Sequence, residues 1–205
     1  MIGSLFAAAI AWPALAEVPL PSYRDALVSE AWRNANELLE AGLPDQAAAS
    51  AQAFEDAVEP DGSLEYLIGL SWYVRHDFVQ AKAHYEKALA LDPTLGEAWY
   101  DLGELQLSAG DFDAARASFQ HVAGLVTTGK HAYLGPQRLA EVAAHQHDPL
   151  AFETHVHEAL RRGFSFRSIA GLENWRRFYA DPVLQDSVTK MVTVYGDDAT
   201  LKSLQ

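Results

Sequence analysis

The chain has 205 residues, 49% of them hydrophobic, and its 28 acidic side chains against 15 lysines and arginines give a formal net charge of −13. That length fits one domain, and the apolar content excludes a chain disordered by composition. The acidity describes a solvated exterior and argues against nucleic acid or an anionic membrane surface as partner, while the lack of cysteine excludes disulfides, thiolate metal sites and a lipidated cysteine.

Met1 to Ala16 carries no charged side chain. Its apolar run from Leu5 is too short to span a bilayer, and it ends in Ala14-Leu15-Ala16, the small-x-small pattern of a cleaved export signal. Residues 1–16 are therefore expected to be a signal peptide, with a mature chain from Glu17 in a periplasm or beyond. No lysine or arginine precedes the run; the alternative is an uncleaved apolar tail docked on the first repeat of a cytoplasmic protein.

After the lead-in Glu17–Pro21, Ser22 is placed to cap a helix reaching Ala41, with Leu27, Ala31, Ala35 and Leu38 on one face. Gly42 ends it, Pro44 fits the first turn of a partner helix, and Ala47, Ala51, Phe54 and Val58 form that helix's stripe. Glu59 to Gly62 is a turn. Residues 22–61 thus read as a first helical hairpin. From Gly62 to Phe119 the chain says nearly the same thing twice. Gly69 recurs as Gly103, Asp77 as Asp111, Phe78 as Phe112, Ala81 as Ala115 and Tyr85 as Phe119, each 34 residues on. A period of that length holding two short amphipathic segments is a helix–turn–helix repeat, here 62–95 and 96–129. Trp99, Leu102, Gly103 and Gln106 share one helical face. Ala109-Gly110-Asp111 is a break, glycine suiting the helix end and aspartate the next N-cap. Asp92-Pro93 stops the helix before it.

These residues resemble the tetratricopeptide repeat. Its Trp–Leu–Gly–Tyr–Gly–Ala–Phe–Ala–Pro pattern falls on Trp99, Leu102, Gly103, Gln106, Gly110, Ala115, Phe119, Val122 and Thr127, with Gln106, Val122 and Thr127 as departures. The preceding copy falls on Ile68, Gly69, Trp72, Ala81, Tyr85, Ala88 and Pro93, with Glu65 at the Trp position and His76 at the break glycine.

After Val126 the frame slips through a longer connection, Thr127 to Lys130. Helical spacing resumes near Ala132 with Leu139, Val142 and Ala143. Asp148-Pro149 starts a second helix carrying Phe152, Val156, Ala159 and Leu160, and Arg161-Arg162-Gly163 ends it. Residues 132–163 read as a divergent fourth repeat. In residues 164–205 the pattern breaks. Trp175, Phe178, Val183, Leu184, Val188, Met191 and Val192 indicate two more helices, joined at Ala180-Asp181-Pro182. Arg176 to Gln185 resembles the closing segment of bacterial tetratricopeptide proteins, and a cap is required because the last repeat would otherwise expose its apolar face. The expected fold is all-α: a solenoid of about four helical hairpins with a C-terminal capping helix pair.

Six of the eight histidines lie between His121 and His157. His145/His147 and His155/His157 are spaced i, i+2, which points them to opposite sides of a helix, so neither pair closes on one ion. The acidic residues read as solvated outer faces. No nucleophile elbow, phosphate loop or dinucleotide fingerprint occurs. Arg161, Arg162, Arg167, Arg176 and Arg177 form either a local anion-binding patch or ordinary helix-end charge. No catalytic residue, metal or cofactor is expected.

The resemblance implies that the first helix of each repeat lines a concave groove. Its outward positions are Trp32 and Asn36, then Tyr66, Leu70 and Tyr73, then Tyr100, Glu104 and Leu107. Recurrent aromatics there suit a peptide ligand with apolar anchors, and Glu104 adds a preference for positive charge. Family members that clamp a terminal carboxylate do so with Lys and Asn, and Asn36 alone matches. The expected function is non-catalytic binding of a protein or peptide partner, with no nucleic acid and no stable membrane span. The alternatives are an assembly subunit using its ends or convex face, and a His-dependent metal hydrolase.

Overall fold

The structure is a computed structural model that describes residues 23–169 and 173–204. The signal read at Met1–Ala16, the lead-in and the Ser22 cap lie outside the described residues. Among the described residues there is no strand. The order is α1 (Tyr23–Glu40), α2 (Pro44–Ala57), α3 (Gly62–Val74), α4 (Phe78–Leu91), α5 (Gly96–Ser108), α6 (Phe112–Leu125), α7 (Leu134–His145) and α8 (Pro149–Arg161). A 3₁₀ turn (Phe166–Ile169), α9 (Glu173–Ala180), α10 (Gln185–Tyr195) and α11 (Asp198–Leu204) close the chain. Consecutive helices pair as hairpins, and each hairpin packs on the next.

The four hairpins share one turn, and the same backbone closure ends α8 at Gly163. Gly42, His76, Gly110 and His147 have φ of 74°, 62°, 77° and 54°. Each turn's backbone closes with a pair of bonds: His76 N–H to Tyr73 O at 2.9 Å with Asp77 N–H to Trp72 O at 3.0 Å, and Gly110 N–H to Leu107 O at 3.0 Å with Asp111 N–H to Gln106 O at 2.9 Å. These satisfy carbonyls that the helix end leaves unpaired. In three of the four hairpins the residue after the turn then caps the second helix, the exception being Leu43. Asp77 accepts from Gln80 N–H at 3.1 Å, Asp111 from Ala114 N–H at 3.3 Å and Asp148 from Ala151 N–H at 3.0 Å. The turns step 34, 34 and then 37 residues, so the frame slip of the fourth repeat is three residues long.

Two of the four turns hold a left-handed backbone without glycine, a conformation that costs L residues about 1–2 kcal/mol. His76→Gly relieves it at the loss of an edge contact to Phe78. We expect His76→Gly to raise the urea midpoint by about 0.5–1 kcal/mol of stability, and Gly110→Ala to lower it by about 1 kcal/mol. Destabilisation by His76→Gly would show that the histidine ring outweighs the backbone term.

The hairpins close because small residues meet large rings. A Cβ on Gly69 would stand 2.6 Å from the Tyr85 ring, and one on Gly103 would stand 2.6 Å from the Phe119 ring. Ala81, Tyr85, Ala115 and Phe119 are all fully buried. The first hairpin packs Ala35, Ala47 and Ala51 against Leu64, Leu67 and Ile68 of α3. The closing segment carries the expected helix pair and also a third short helix. Phe164, Phe166, Trp175 and Phe178 cluster on Phe152 of α8, and Leu184, Val188, Met191, Val192 and Leu204 complete that core. This apolar layer covers the face that α8 would otherwise expose.

Candidate functional site

Helices α3, α5 and α7 lie side by side and form one wall, continued by α9. Polar rungs tie them together. Tyr66 Oη donates to Asp101 Oδ2 at 2.8 Å, Arg138 Nε donates to Tyr100 Oη at 3.0 Å, and Trp175 Nε1 donates to Glu141 Oε1 at 3.3 Å. Once the three-residue slip is allowed for, Tyr100–Arg138 is the same rung as Tyr66–Asp101, one repeat later. The two rungs end in opposite charges.

Arg138 is the centre of the second rung. Its Nη1 lies 2.7 Å from Glu141 Oε2, its Nε lies 2.8 Å from Glu104 Oε1, and its guanidinium carbon sits 5.7 Å from the Tyr100 ring centroid. Burial draws the Arg138 pKa down, but Glu141 and Glu104 pull it up further, so the guanidinium stays charged. Burial pushes the Glu104 carboxyl up to about 7 against the pull of Arg138, and Glu141 and Asp101 add to the rise. Asp101 is also raised, chiefly by burial, although the Tyr66 hydroxyl opposes the shift.

Three cavities open along this wall. One of about 590 Å³ lies between Tyr73, Phe78, Val79 and Lys82 on one side and Glu104, Leu105 and Ser108 on the other. A slot of about 350 Å³ lies at the N-terminal end of α5, between Tyr66, Tyr100, Asp101, Val126 and Leu134. A third, of about 630 Å³, is bounded by Glu104, Leu107, Arg138, Glu141, His145 and Trp175.

The structure brings together Tyr66, Tyr73, Tyr100, Glu104 and Leu107 on this wall, each lining at least one of the three cavities. Trp32 is exposed on α1, and Asn36 Nδ2 donates to Glu40 Oε1 at 2.8 Å on its own helix. These cavities take no lining from α1. Leu70 is half-buried against the core around Ala81 and Tyr85. Glu104 does not stand free as an acidic lure, because Arg138 already neutralises it. The residues missed from sequence are Asp101, Arg138 and Glu141. Asp101 directly follows Tyr100, and Arg138 becomes visible only once the frame slip is known to be three residues.

The acidic residues are not all on outer faces. Glu65, Glu141 and Glu55 are 0%, 1% and 6% exposed. Glu65 fills the family's Trp position and survives there because His84 Nδ1 reaches its Oε2 at 2.8 Å and Lys87 pairs with its Oε1. Nor are the histidines all solvated. His145 is half-buried, stacks on Phe112 with ring centroids 5.2 Å apart and meets Phe178 edge-on, whereas His121 stacks on Trp99 at 4.0 Å but stays exposed. Burial lowers the pKa of His145 and of His155. Among the described residues, no three His, Asp or Glu side chains are grouped to hold a metal ion. Nor is any described helix long and apolar enough to cross a membrane.

Comparison with known proteins agrees with this geometry. Residues 75–124 match the tetratricopeptide repeat profile. A stretch of 79 residues, 38% of this chain, is 35% identical to the "probable biofilm formation methyltransferase WspC" of Pseudomonas putida, and it spans only 19% of that protein's length. Among solved structures, a MamA RS-1 double mutant superposes with a TM-score of 0.65 at 14% identity, covering 86% of this chain and 94% of that one. PilF of Pseudomonas aeruginosa superposes with a TM-score of 0.60 at 13% identity, covering 87% and 97%. At such identities the two structures speak for the fold alone. The profile lies across the turn and second helix of one hairpin and most of the next, so residues 75–124 are a tetratricopeptide repeat stretch, and the same helical-hairpin solenoid runs through the rest of the described chain.

Proposed function

We propose that the chain is a non-catalytic interaction scaffold that binds a peptide or protein segment along the wall of α3, α5 and α7. The observation that carries this reading is the opening between the α3–α4 turn and α5, where Tyr73 of α3 and Phe78 of α4 remain 43% and 47% exposed beside a cavity that Leu105 also lines. Large apolar side chains left open in a row along one face mark an interaction surface rather than a catalytic one. Tyrosine supplies contact area with little rotamer freedom to lose. Tyr73 and Leu107 are the test positions, since Tyr66 and Tyr100 also hold the rungs between helices. Peptides selected from a random library on the purified chain are expected to lose about 2 kcal/mol of affinity, roughly thirty-fold, on the double variant Tyr73→Ala/Leu107→Ala. Fluorescence anisotropy reads the affinity and circular dichroism reads the fold. Equal affinity for wild type and double variant moves the binding site to the outer face or the ends.

A further inference from the structure

The two equivalent rungs of the wall differ in one respect. At Tyr100–Arg138 the acidic groups have a cation of their own. At Tyr66–Asp101 they have none: among the described residues no lysine, arginine or histidine comes within ion-pairing distance of Asp101 or of the exposed Glu97 one helical turn before it. The Asp101 carboxylate accepts the Tyr66 hydroxyl and otherwise faces the slot at the N-terminal end of α5. The slot is walled by Tyr66, Tyr100, Val126, His131 and Leu134, mostly apolar surface, with Glu97 and Asp101 as its acidic members, and His131 pairs with neither of them.

We propose that this slot receives one lysine or arginine side chain of the bound peptide, its aliphatic stem lying on Tyr66, Tyr100, Val126 and Leu134 and its charge reaching Asp101 and Glu97. The proposal rests on the reading of the wall as a peptide groove and names the chemistry of one of its anchors. A long basic side chain is the residue type that matches such a site, because its methylenes bury on apolar surface while its head stays polar. The partly desolvated Asp101 gains a counter-charge it now lacks, which raises its preference for a cation over a neutral isostere. Where the Tyr100 rung ends in a cation that meets Glu104 and Glu141, the Tyr66 rung ends in a carboxylate whose cation comes from the partner. The acidity of the whole chain, at −13, steers such a partner in.

Three random-peptide pools, identical except that one central residue is fixed as lysine, norleucine or glutamate, test the slot. Each is captured on the immobilised full chain as wild type, Asp101→Asn, Glu97→Gln and Tyr73→Ala/Leu107→Ala. Circular dichroism confirms that each variant keeps its helix content. Wild type is expected to retain the lysine pool about tenfold over the norleucine pool. Asp101→Asn should erase that difference while still retaining the norleucine pool, and Glu97→Gln, which touches no rung, should reduce it. Raising the salt concentration should shrink the preference. Equal retention of lysine and norleucine pools on wild type, or preference for the glutamate pool, overturns the slot and leaves the groove standing. Retention of no pool, or retention indifferent to Tyr73→Ala/Leu107→Ala, overturns the groove as well.

Discussion

Replacing Gly103 by alanine is expected to cost about 1–3 kcal/mol, although alanine is the better helix former by about 1 kcal/mol. The new methyl would stand 2.6, 2.8 and 3.0 Å from three carbons of the Phe119 ring. That ring is fully buried and held edge-on by Tyr100 at 5.9 Å, so it has no empty space to swing into. Phe119→Ala alone should cost about 3–5 kcal/mol through the cavity it leaves. In a Phe119→Leu background the room returns, and Gly103→Ala should then cost less than ~0.5 kcal/mol; the coupling shows as non-additivity in a double-mutant cycle. Gly124, exposed near the end of α6 with nothing within 4 Å of its missing Cβ, is the control, and Gly124→Ala should stabilise. Urea unfolding followed by helical circular dichroism measures all four changes. A neutral Gly103→Ala would mean that close helix approach does not set the hairpin geometry.

Glu55→Gln is expected to leave the stability of the chain nearly unchanged near pH 5 and to raise it at pH 8. Glu55 Oε1 accepts the Asp61 N–H at 3.0 Å, and its other oxygen is buried, where the protonated carboxyl hydrogen-bonds to Glu65. Burial pushes this carboxyl up to about 7, with the neighbouring negative Glu65 adding to the rise. Burial would raise Glu65 too, but bonds from His84, Lys87 and Glu55 outweigh it and hold it at about 2. For Glu55 the folded chain holds its proton more tightly than the unfolded chain, whose pKa is 4.5. Its contribution is therefore complete below pH 4.5, falls as the pH rises, and is gone once the pH passes about 7. Glu65 works the other way: its contribution is present above 4.5 and is lost as the pH falls toward about 2. The shift of Glu55 sets an upper bound of about 3 kcal/mol, discounted to about 1–2 kcal/mol because water still screens the edge of the pair. Chemical unfolding of wild type and Glu55→Gln should give similar stabilities near pH 5 and a more stable variant at pH 8, by about 1–2 kcal/mol. A difference that is flat across that range would mean Glu55 ionises like a surface carboxylate.

Much of this architecture was legible because it is written locally. The step from Gly69 to Gly103, the aspartates after each turn and the prolines at helix starts act over a few residues, and the hairpins follow from them. The missing parts depend on contacts between repeats. Glu65 stood visibly at a packing position, yet composition alone placed it on the surface; His84 and Lys87, nineteen and twenty-two residues further along, are what make its burial tolerable. Arg138 was hidden by the frame slip, so the rung it shares with Tyr100 could not be aligned with Tyr66 and Asp101. Leu70 shares its outward frame position with Glu104 but turns into the core around Tyr85, a choice that helical periodicity does not make. The short α11 is seven residues and holds its place through the buried Leu204 and Thr200 rather than through any strong helical pattern.

The most direct test of the binding account is a map of backbone amide shifts in the labelled chain as a selected peptide is titrated in. The wall account predicts shifts concentrated in α3, α5 and α7, strongest around Tyr73, Asp101 and Leu107. The cavity on the opposite side, between Leu89, Trp99, Leu102 and Ala117, should stay quiet. Shifts centred on α4 and α6 around that outer cavity, with Tyr73 and Leu107 unmoved, would contradict it.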